Sequence, residues 1–458
     1  MIPLTLAEVA QATRGALDHV PDIEKLVDAP LSFDSRKVYP GGLFACLPGR
    51  TTDGHDYAEA AVAKGAVAAL ATRPVGVPTV IVPDVLTALA DLARHVASRY
   101  SGTVVAVTGS AGKTSTKDLL AQVLKRQGPT VATERSFNNE IGFPSTVLRA
   151  EQDTRYLLVE MGARGLGHIQ HLCGIARPHI AVVLGIGSAH LGEFGSREAI
   201  AKAKGEIIEA LPPRGTAVLY GDDPLVRAMS QRTTARTLTF GTSSECEVRA
   251  SDIAVDDQGR PSFTLSTPDA EAHVQLAVHG RHNVTNALAA TAAAVAVGVP
   301  LPEITDGLSA ARLVSGGRMQ VTTRPDGVTV INDAFNSPPE AMMAAIQALR
   351  DIAGPRRAIA VLGEMAELGD ASEHWHQEVA RAVASVGVEH LVAVGGGLAE
   401  LLAKTARAAG VAVTEVALVP SLLSALESIL KPGDTVLVKG ANALGLETIA
   451  NKLAAGPN

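Results

Sequence analysis

A chain of 458 residues exceeds what one hydrophobic core organises, so two or three domains of roughly 100–200 residues are expected. Residues are 47% hydrophobic, 19% charged and only 3% aromatic, which calls for aliphatic cores, and a formal charge of −7 excludes a general nucleic-acid surface. Cys46, Cys173 and Cys246 are far apart with no C-x-x-C pair, which speaks against a disulfide framework or a zinc site, and no apolar run reaches the ~18 residues of a membrane span. A cytoplasmic enzyme, monomeric and without membrane insertion, is the expectation.

Residues 1–100 mix short strands with turns such as Tyr39-Pro40-Gly41-Gly42, followed by an Ala-rich helix near Tyr57–Gly65. Residues 101–314 alternate apolar strands (Val104–Val107, Tyr156–Val159, Ile180–Leu184, Thr216–Leu219) with helices, which implies a mostly parallel, doubly wound sheet. A helix is expected over Ser196–Leu211, and the Ala-rich helix from Asn283 to about Val297, stopped by Gly298 and Pro300, is read as the last element of this block. Beyond the small residues Ser315-Gly316-Gly317, residues 318–458 carry strands at Val328–Ile331, Ala358–Leu362, Leu391–Val394 and Thr435–Val438, a second nucleotide-binding-type α/β unit. The fold class is therefore α/β in three domains: 1–100, a central P-loop domain at 101–314, and a Rossmann-like domain at 315–458.

The chemistry concentrates in Thr108-Gly109-Ser110-Ala111-Gly112-Lys113-Thr114-Ser115, where an apolar strand ends in a Gly-rich turn and a helix begins. Unpaired N–H groups and the positive end of the helix dipole suit phosphate there; Lys113 can reach the β/γ-phosphates of ATP and the Thr114 hydroxyl can bind Mg²⁺. The pattern is a shortened one, since Val107 stands where G-x-x-x-x-G-K-[ST] has its first glycine. Glu160 ends the strand Tyr156–Val159 and His190 follows the strand Ile180–Leu184, so both tips fall at the carboxyl edge where an open α/β sheet holds its ligand. Taken alone, a histidine placed like His190 is more often a surface or loop residue than a ligand, and Lys202 and Lys204 read as a solvated basic stripe.

The motifs T-G-S-A-G-K-T-S-T-K, S-F-N-N-E-I-G-F-P at 136–144, E-M-G-A-R-G at 160–165, A-H-L-G-E-F-G-S at 189–196 and A-K-A-K-G-E-I at 201–207 together resemble the Mur ligases, a likeness that covers nearly the whole chain. The resemblance implies an ATP-dependent amide ligase working through an acyl phosphate, with a UDP-MurNAc-tripeptide as donor and D-alanyl-D-alanine as amine. It assigns Glu160 and His190 to the metal, Lys204 to carbamylation by CO₂, Asn283 to adenine, Arg318 to the γ-phosphate and Asp333 to ribose. It also assigns Asp34, Ser35, Arg36, Asn138, Asn139, Asn336, Lys439 and Asn442 to the substrates. Departures from the family pattern are Asp333-Ala334-Phe335-Asn336-Ser337-Pro338-Pro339, Asn442 in place of an arginine, and Tyr220 in place of an asparagine. The second reading is a related ligase acting on another peptide-nucleotide or amine.

Overall fold

In the computed structural model, which describes residues 1–49 and 52–456, a two-stranded pairing of Leu4–Thr5 with Leu26–Val27 accompanies three larger sheets of different construction that follow one another along the chain. The first has β1 (Ala16–Asp18), β2 (Leu43–Ala45), β3 (Ala68–Ala71) and β4 (Thr79–Ile81) in the order β1-β4-β3-β2, with β1 antiparallel to β4. The expected Ala-rich helix is present at Ala58–Ala63. Helix α1 (Val85–Arg99) starts where the Asp84 carboxylate accepts the Thr87 N–H at 2.7 Å. Its buried Leu89, Leu92 and Val96 share one core with Val104, Ala106, Leu157 and Val159 of the next sheet, which seats the first block against the second.

The central sheet has nine strands: β5 (Thr103–Thr108), β6 (Thr130–Ala132), β7 (Tyr156–Glu160), β8 (Ile180–Val183), β9 (Thr216–Tyr220), β10 (Arg236–Gly241), β11 (Val248–Val255), β12 (Pro261–Ser266) and β13 (Glu271–Gln275). Their order is β13-β12-β11-β10-β9-β8-β5-β7-β6, parallel from β6 to β11. Strand β5 is buried on both faces, as parallel strands require, because Val105 and Val107 meet α2 (Lys113–Lys125) through Leu119 and Leu120 while Val104 and Ala106 meet the core of the first block.

The sheet is mostly parallel as expected, with an addition at one edge, and two helix expectations for this block need correction. The parallel sheet is extended by an antiparallel meander, β11-β12-β13, whose strands expose alternate residues to solvent and so lack the continuous apolar run of a parallel strand. The helix predicted over Ser196–Leu211 is divided into α3 (Arg197–Lys204) and a short turn at Glu206–Glu209. Nor is the Ala-rich helix, α4 (Asn283–Ala296), the last element, since α5 (Leu301–Ala310) follows it with Pro302 in its first turn. Gly298, with φ +82°, ends one helix, while Pro300 caps the next and Pro302 sits in its first turn, where a missing N–H is harmless.

The third sheet runs in the order β14-β15-β19-β16-β17-β18, built from β14 (Gln320–Thr323), β15 (Thr329–Asn332), β16 (Ala358–Gly363), β17 (His390–Val394), β18 (Ala412–Val416) and β19 (Thr435–Lys439). All neighbours are parallel except β14 and β15, and separate cores cover the two faces. Helix α6 (Pro339–Ala353) follows β15. At the carboxyl edge the Glu364 carboxylate accepts the N–H groups of Gly396 (2.9 Å) and Ala399 (3.3 Å), so the chain's own anion occupies the Gly-rich turn where this fold type otherwise takes a phosphate. Nucleotide chemistry is thereby left to the central block.

Candidate active site

The phosphate loop is shaped by contacts that forbid side chains. Gly112 has φ +80° and a Cβ there would overlap Asn286 Oδ1, while a Cβ on Gly109 would stand 2.6 Å from Leu184 Cβ. Lys113 folds over the loop, its ammonium donating to the Gly109 carbonyl at 2.8 Å. The Thr114 hydroxyl donates to Glu160 at 2.9 Å, and the Asn138 amide donates to the other carboxylate oxygen at 2.6 Å. Glu160 is only 1% exposed and its two oxygens are aimed by these neighbours at the start of α2. Thr108 is a correction: it is fully buried and its hydroxyl donates to the Met161 carbonyl, so it braces β5 instead of facing a ligand.

Two cavities meet at this loop. One, of about 490 Å³, is lined by Lys113, Asn138, Asn139, Arg164, His190 and Lys204 among others. Lys204 is 2% exposed, and burial, reinforced by the nearby Lys113 charge, pushes its ammonium well below the usual lysine range. Lys202, two residues earlier, is exposed, so the basic-stripe reading holds for Lys202 and fails for Lys204. Asn139 contributes to the wall while its side-chain oxygen accepts the Gly142 N–H at 3.0 Å.

His190, assigned with Glu160 to the metal by resemblance, meets carboxylates other than Glu160 here. Its Nδ1 lies 2.5 Å from a Glu367 carboxylate oxygen, and the three residues whose ligand atoms converge within 4.8 Å among the described residues are His190, Glu193 and Glu367. Burial lowers the imidazole's proton affinity and the Glu367 charge opposes that. Glu367 comes from the third block, as does Glu340, whose carboxylate accepts the Ser188 N–H at 2.8 Å. Sequence reading had no signal for these two, because the partners are more than 150 residues apart.

The other cavity, of about 430 Å³, is lined by Ser110, Ala111, Gly112, Ser115, Tyr220, His282, Thr285, Asn286, Arg318, Asp333 and Lys439 among others. Arg318 reaches from the third block to within 3.5 Å of the Thr114 hydroxyl and 3.4 Å of Ser136 Oγ, its guanidinium lying 4.2 Å above the Phe335 ring. Burial lowers the guanidinium's proton affinity, although it stays a cation. Asp333 is held by the Met319 N–H at 3.1 Å and the Lys439 ammonium at 2.5 Å.

Several assigned residues fall elsewhere. Asn283 is fully buried with its amide spent on the His279 carbonyl and on Asn286, so adenine is out of its reach and the helix presents His282, Thr285 and Asn286 to the cavity instead. Lys439 is 2% exposed and spent on Asp333 and the Asn336 carbonyl, which leaves no ammonium for a second substrate. Asn336 and Asn442 are exposed and line neither cavity. In the first block Asp34 lines a third cavity, of about 270 Å³, but Arg36 folds back on Asp34 and Ser35 offers its carbonyl to Lys64. The cations of that cavity are Lys37, Arg135 and Arg149, beside Phe137, whose ring packs edge-on against Phe33 at 6.0 Å.

Further residues that sequence reading passed over support this frame. Asp118 and Lys117 form a buried pair at 2.7 Å on α2; Asp118 accepts the Ser315 N–H at 2.9 Å and Lys117 donates to Ser315 Oγ at 3.2 Å. The linker to the third block is thus bolted to the phosphate-loop helix. At the end of α3 the Arg232 guanidinium donates to the carbonyls of Ala201 and Lys202 at 3.2 and 3.0 Å, and to Glu209. It occupies the space a side chain on Gly205 would need, next to Lys204.

A P-loop at the carboxyl edge of a parallel sheet, two flanking α/β blocks and a cationic cleft between them define a nucleotide-using ligase of three parts. Residues 30–97, 107–294 and 317–442 match, respectively, the Mur ligase family catalytic domain, the Mur ligase middle domain and the Mur ligase glutamate ligase domain. The UDP-N-acetylmuramoyl-tripeptide--D-alanyl-D-alanine ligase of Mycobacterium tuberculosis is 44% identical over 99% of this chain and 98% of its own, and that of Escherichia coli 35% identical over 99% of each. Among solved structures, MurF from Acinetobacter baumannii superposes with a TM-score of 0.86 at 31% identity over 99% of both chains. MurF from Thermotoga maritima, solved in complex with ADP, gives 0.79 at 30% identity over 93% of this chain and 97% of its own. The chain belongs to the Mur ligase family, whose members use ATP to form amide bonds. No helix among the described residues is long and apolar enough to cross a membrane.

Proposed function

We propose that the protein joins D-alanyl-D-alanine to a UDP-MurNAc-tripeptide at the expense of ATP, in the cytoplasm, as a step of peptidoglycan precursor synthesis. The observation that carries this reading is the meeting of Lys113, Lys204 and Arg318 around one phosphate loop, in a chain that matches ligases of that name from end to end. The uridine nucleotide lies in the 270 Å³ cavity shared by residues 1–100 and the start of the central block, with Lys37, Arg135 and Arg149 around its diphosphate and Phe137 beside the base. Residues 101–314 take ATP, and residues 315–458 close over it and admit the amine.

The residues present fit a magnesium ion, because Thr114 and Glu160 offer hard oxygen donors 2.9 Å apart at the phosphate end of α2. When bound, the ion supplies positive charge to the polyphosphate oxygens. Lys113 abandons the Gly109 carbonyl for the γ-phosphate, and Arg318 adds a second cation from the other side. Both sit half-buried in the cleft, where fixed charge stabilises developing negative charge more strongly than in open water. A donor carboxylate in the cavity of Lys113 and Lys204 attacks the γ-phosphorus to give an acyl phosphate and ADP; the amine then displaces phosphate through a tetrahedral intermediate. Burial pushes the Lys204 ammonium well below the usual lysine range, which favours the neutral amine that can add to CO₂ with loss of a proton; the carbamate so formed, with Glu160, would offer oxygen donors to a second magnesium ion, which His190 would join on leaving Glu367.

The test is the mass of the products formed from UDP-MurNAc-tripeptide, ATP and a panel of D,D-dipeptides and other amines. A product carrying D-alanyl-D-alanine, with ADP and phosphate released in equal amount, is expected. Exclusive use of a different amine or nucleotide donor would replace this reading with that of a related ligase of another pathway.

A further inference from the structure

Tyr220 ends β9, two strands away from β5 in the sheet, and the strand spacing sets it about 10 Å from the phosphate loop. That separation matches the reach from the polyphosphate across a ribose to a base. The ring is stacked on Phe240 of β10, with centroids 5.4 Å apart and planes at 30°, and it also lines the 430 Å³ cavity that begins at Ser110 and Gly112. Thr285, at the start of α4, lines the same cavity, and burial together with Asp222 pushes the phenol above its ordinary range. A ring backed by a second aromatic and open to a nucleotide-sized cavity is a rigid π surface.

Small residues border the rest of this space. Gly185 has no side chain, and a Cβ there would touch the Tyr220 ring at 3.6 Å, while α6 contributes Ala341 and Ala344 to the same cavity. Asn283, the side chain to which adenine recognition was first assigned, is buried with its amide already paired.

We propose that Tyr220 is the platform on which the purine base of the bound nucleotide stacks. The proposal rests on the reading of this cavity as the ATP site. Stacking uses the face common to every purine, so it supplies grip on a nucleotide over bare polyphosphate. Phe240 supports the platform without touching the base.

Calorimetry on the full chain tests this with two probes, ADP and inorganic tripolyphosphate, against Tyr220→Ala, Tyr220→Leu and Tyr220→Phe. Loss of the ring weakens ADP about tenfold or more in the Ala and Leu variants, and tripolyphosphate binding moves by less than about twofold. Leu keeps the bulk and guards against a folding defect in Ala; Phe, which keeps the ring, loses far less than either. Ala and Leu variants that bind ADP like the parent, or that lose ADP and tripolyphosphate in parallel, overturn the platform. A parent chain that binds tripolyphosphate but not ADP overturns the ATP reading itself.

Discussion

The Arg318 guanidinium and the Thr114 hydroxyl, 204 residues apart in sequence, lie 3.5 Å from each other across the boundary between the second and third blocks. Arg318 is thus already at the phosphate end of α2, stacked on Phe335, and its position depends on the third block being closed. Arg318→Ala should cut kcat by about a hundredfold or more, the scale of removing one preorganised donor from a developing oxyanion. ADP affinity should fall much less, since the diphosphate meets the loop amides. Steady-state kinetics beside calorimetry check this, and equal losses in kcat and ADP affinity would make Arg318 a ground-state contact.

Lys204 shares its cavity with Lys113, and two ammonium groups in a buried space repel each other. The pair is relieved when Lys204 is neutral or carbamylated. Lys204→Ala should be nearly inactive, and acetate or another short carboxylate should restore part of the activity. Because the folded amine binds its proton less tightly than a free lysine, raising pH moves Lys204 into its reactive form at lower pH than usual. CO₂-stripped enzyme should therefore recover with bicarbonate more fully as pH rises, and at lower pH than an ordinary lysine would need. A ¹³C carbamate signal from labelled bicarbonate, absent in Lys204→Ala, is the direct check.

The frame of this site was legible from residues 104–115, because a β-branched run, glycines and a hydroxyl-rich helix start leave few alternatives to a phosphate loop. Glu160 was legible as well, since a strand's last residue points to the ligand edge. Local sequence has no access to what Glu340 and Glu367 do, since each meets a partner in another block, nor to what Arg232 does, since its partners Ala201 and Lys202 are 31 and 30 residues away. The failures at Asn283 and Lys439 have one cause. A polar residue in a ligand-like motif was read as facing the ligand, whereas each is 0–2% exposed and holds another site residue in place. Strands β11 to β13 were missed because half-exposed alternation is a weak signal beside the buried parallel strands.

Lys439 is accordingly a support for Asp333. Removing the ammonium strands a carboxylate that is 8% exposed, a change that typically costs about 3–5 kcal/mol when the partner charge stays buried. Lys439→Met should lower the melting temperature by several degrees and weaken nucleotide binding through Asp333, with no specific rise in the KM for the dipeptide. Adding Asp333→Asn to that variant should return much of the stability. A dipeptide KM that rises alone, at unchanged melting temperature, would restore the substrate role.

Gly205 follows Lys204 with an ordinary helical φ of −68°, so its backbone does not require glycine. Alanine there should by itself favour the helix by about 0.5–1 kcal/mol. The obstacle is Arg232, whose guanidinium fills the place of the missing Cβ while capping the Ala201 and Lys202 carbonyls. In Gly205→Ala the arginine must swing away, and the last turn of α3 loses the donors that fix the direction in which Lys204 enters the cavity. The two effects on stability oppose each other, so the melting temperature should change little while kcat falls about tenfold or more, a misplacement effect of the kind a small shift produces. Arg232→Ala should reproduce the loss in kcat, because it removes the same caps without adding a methyl. The double variant should then be no worse than either single one, since the collision has gone with the arginine; this non-additivity is the signature of one shared contact. Acetate rescue of Lys204→Ala should persist in the Arg232→Ala background, as a free carboxylate needs no aimed side chain. Fully additive losses in the double variant would mean that Gly205 and Arg232 act on Lys204 by separate routes.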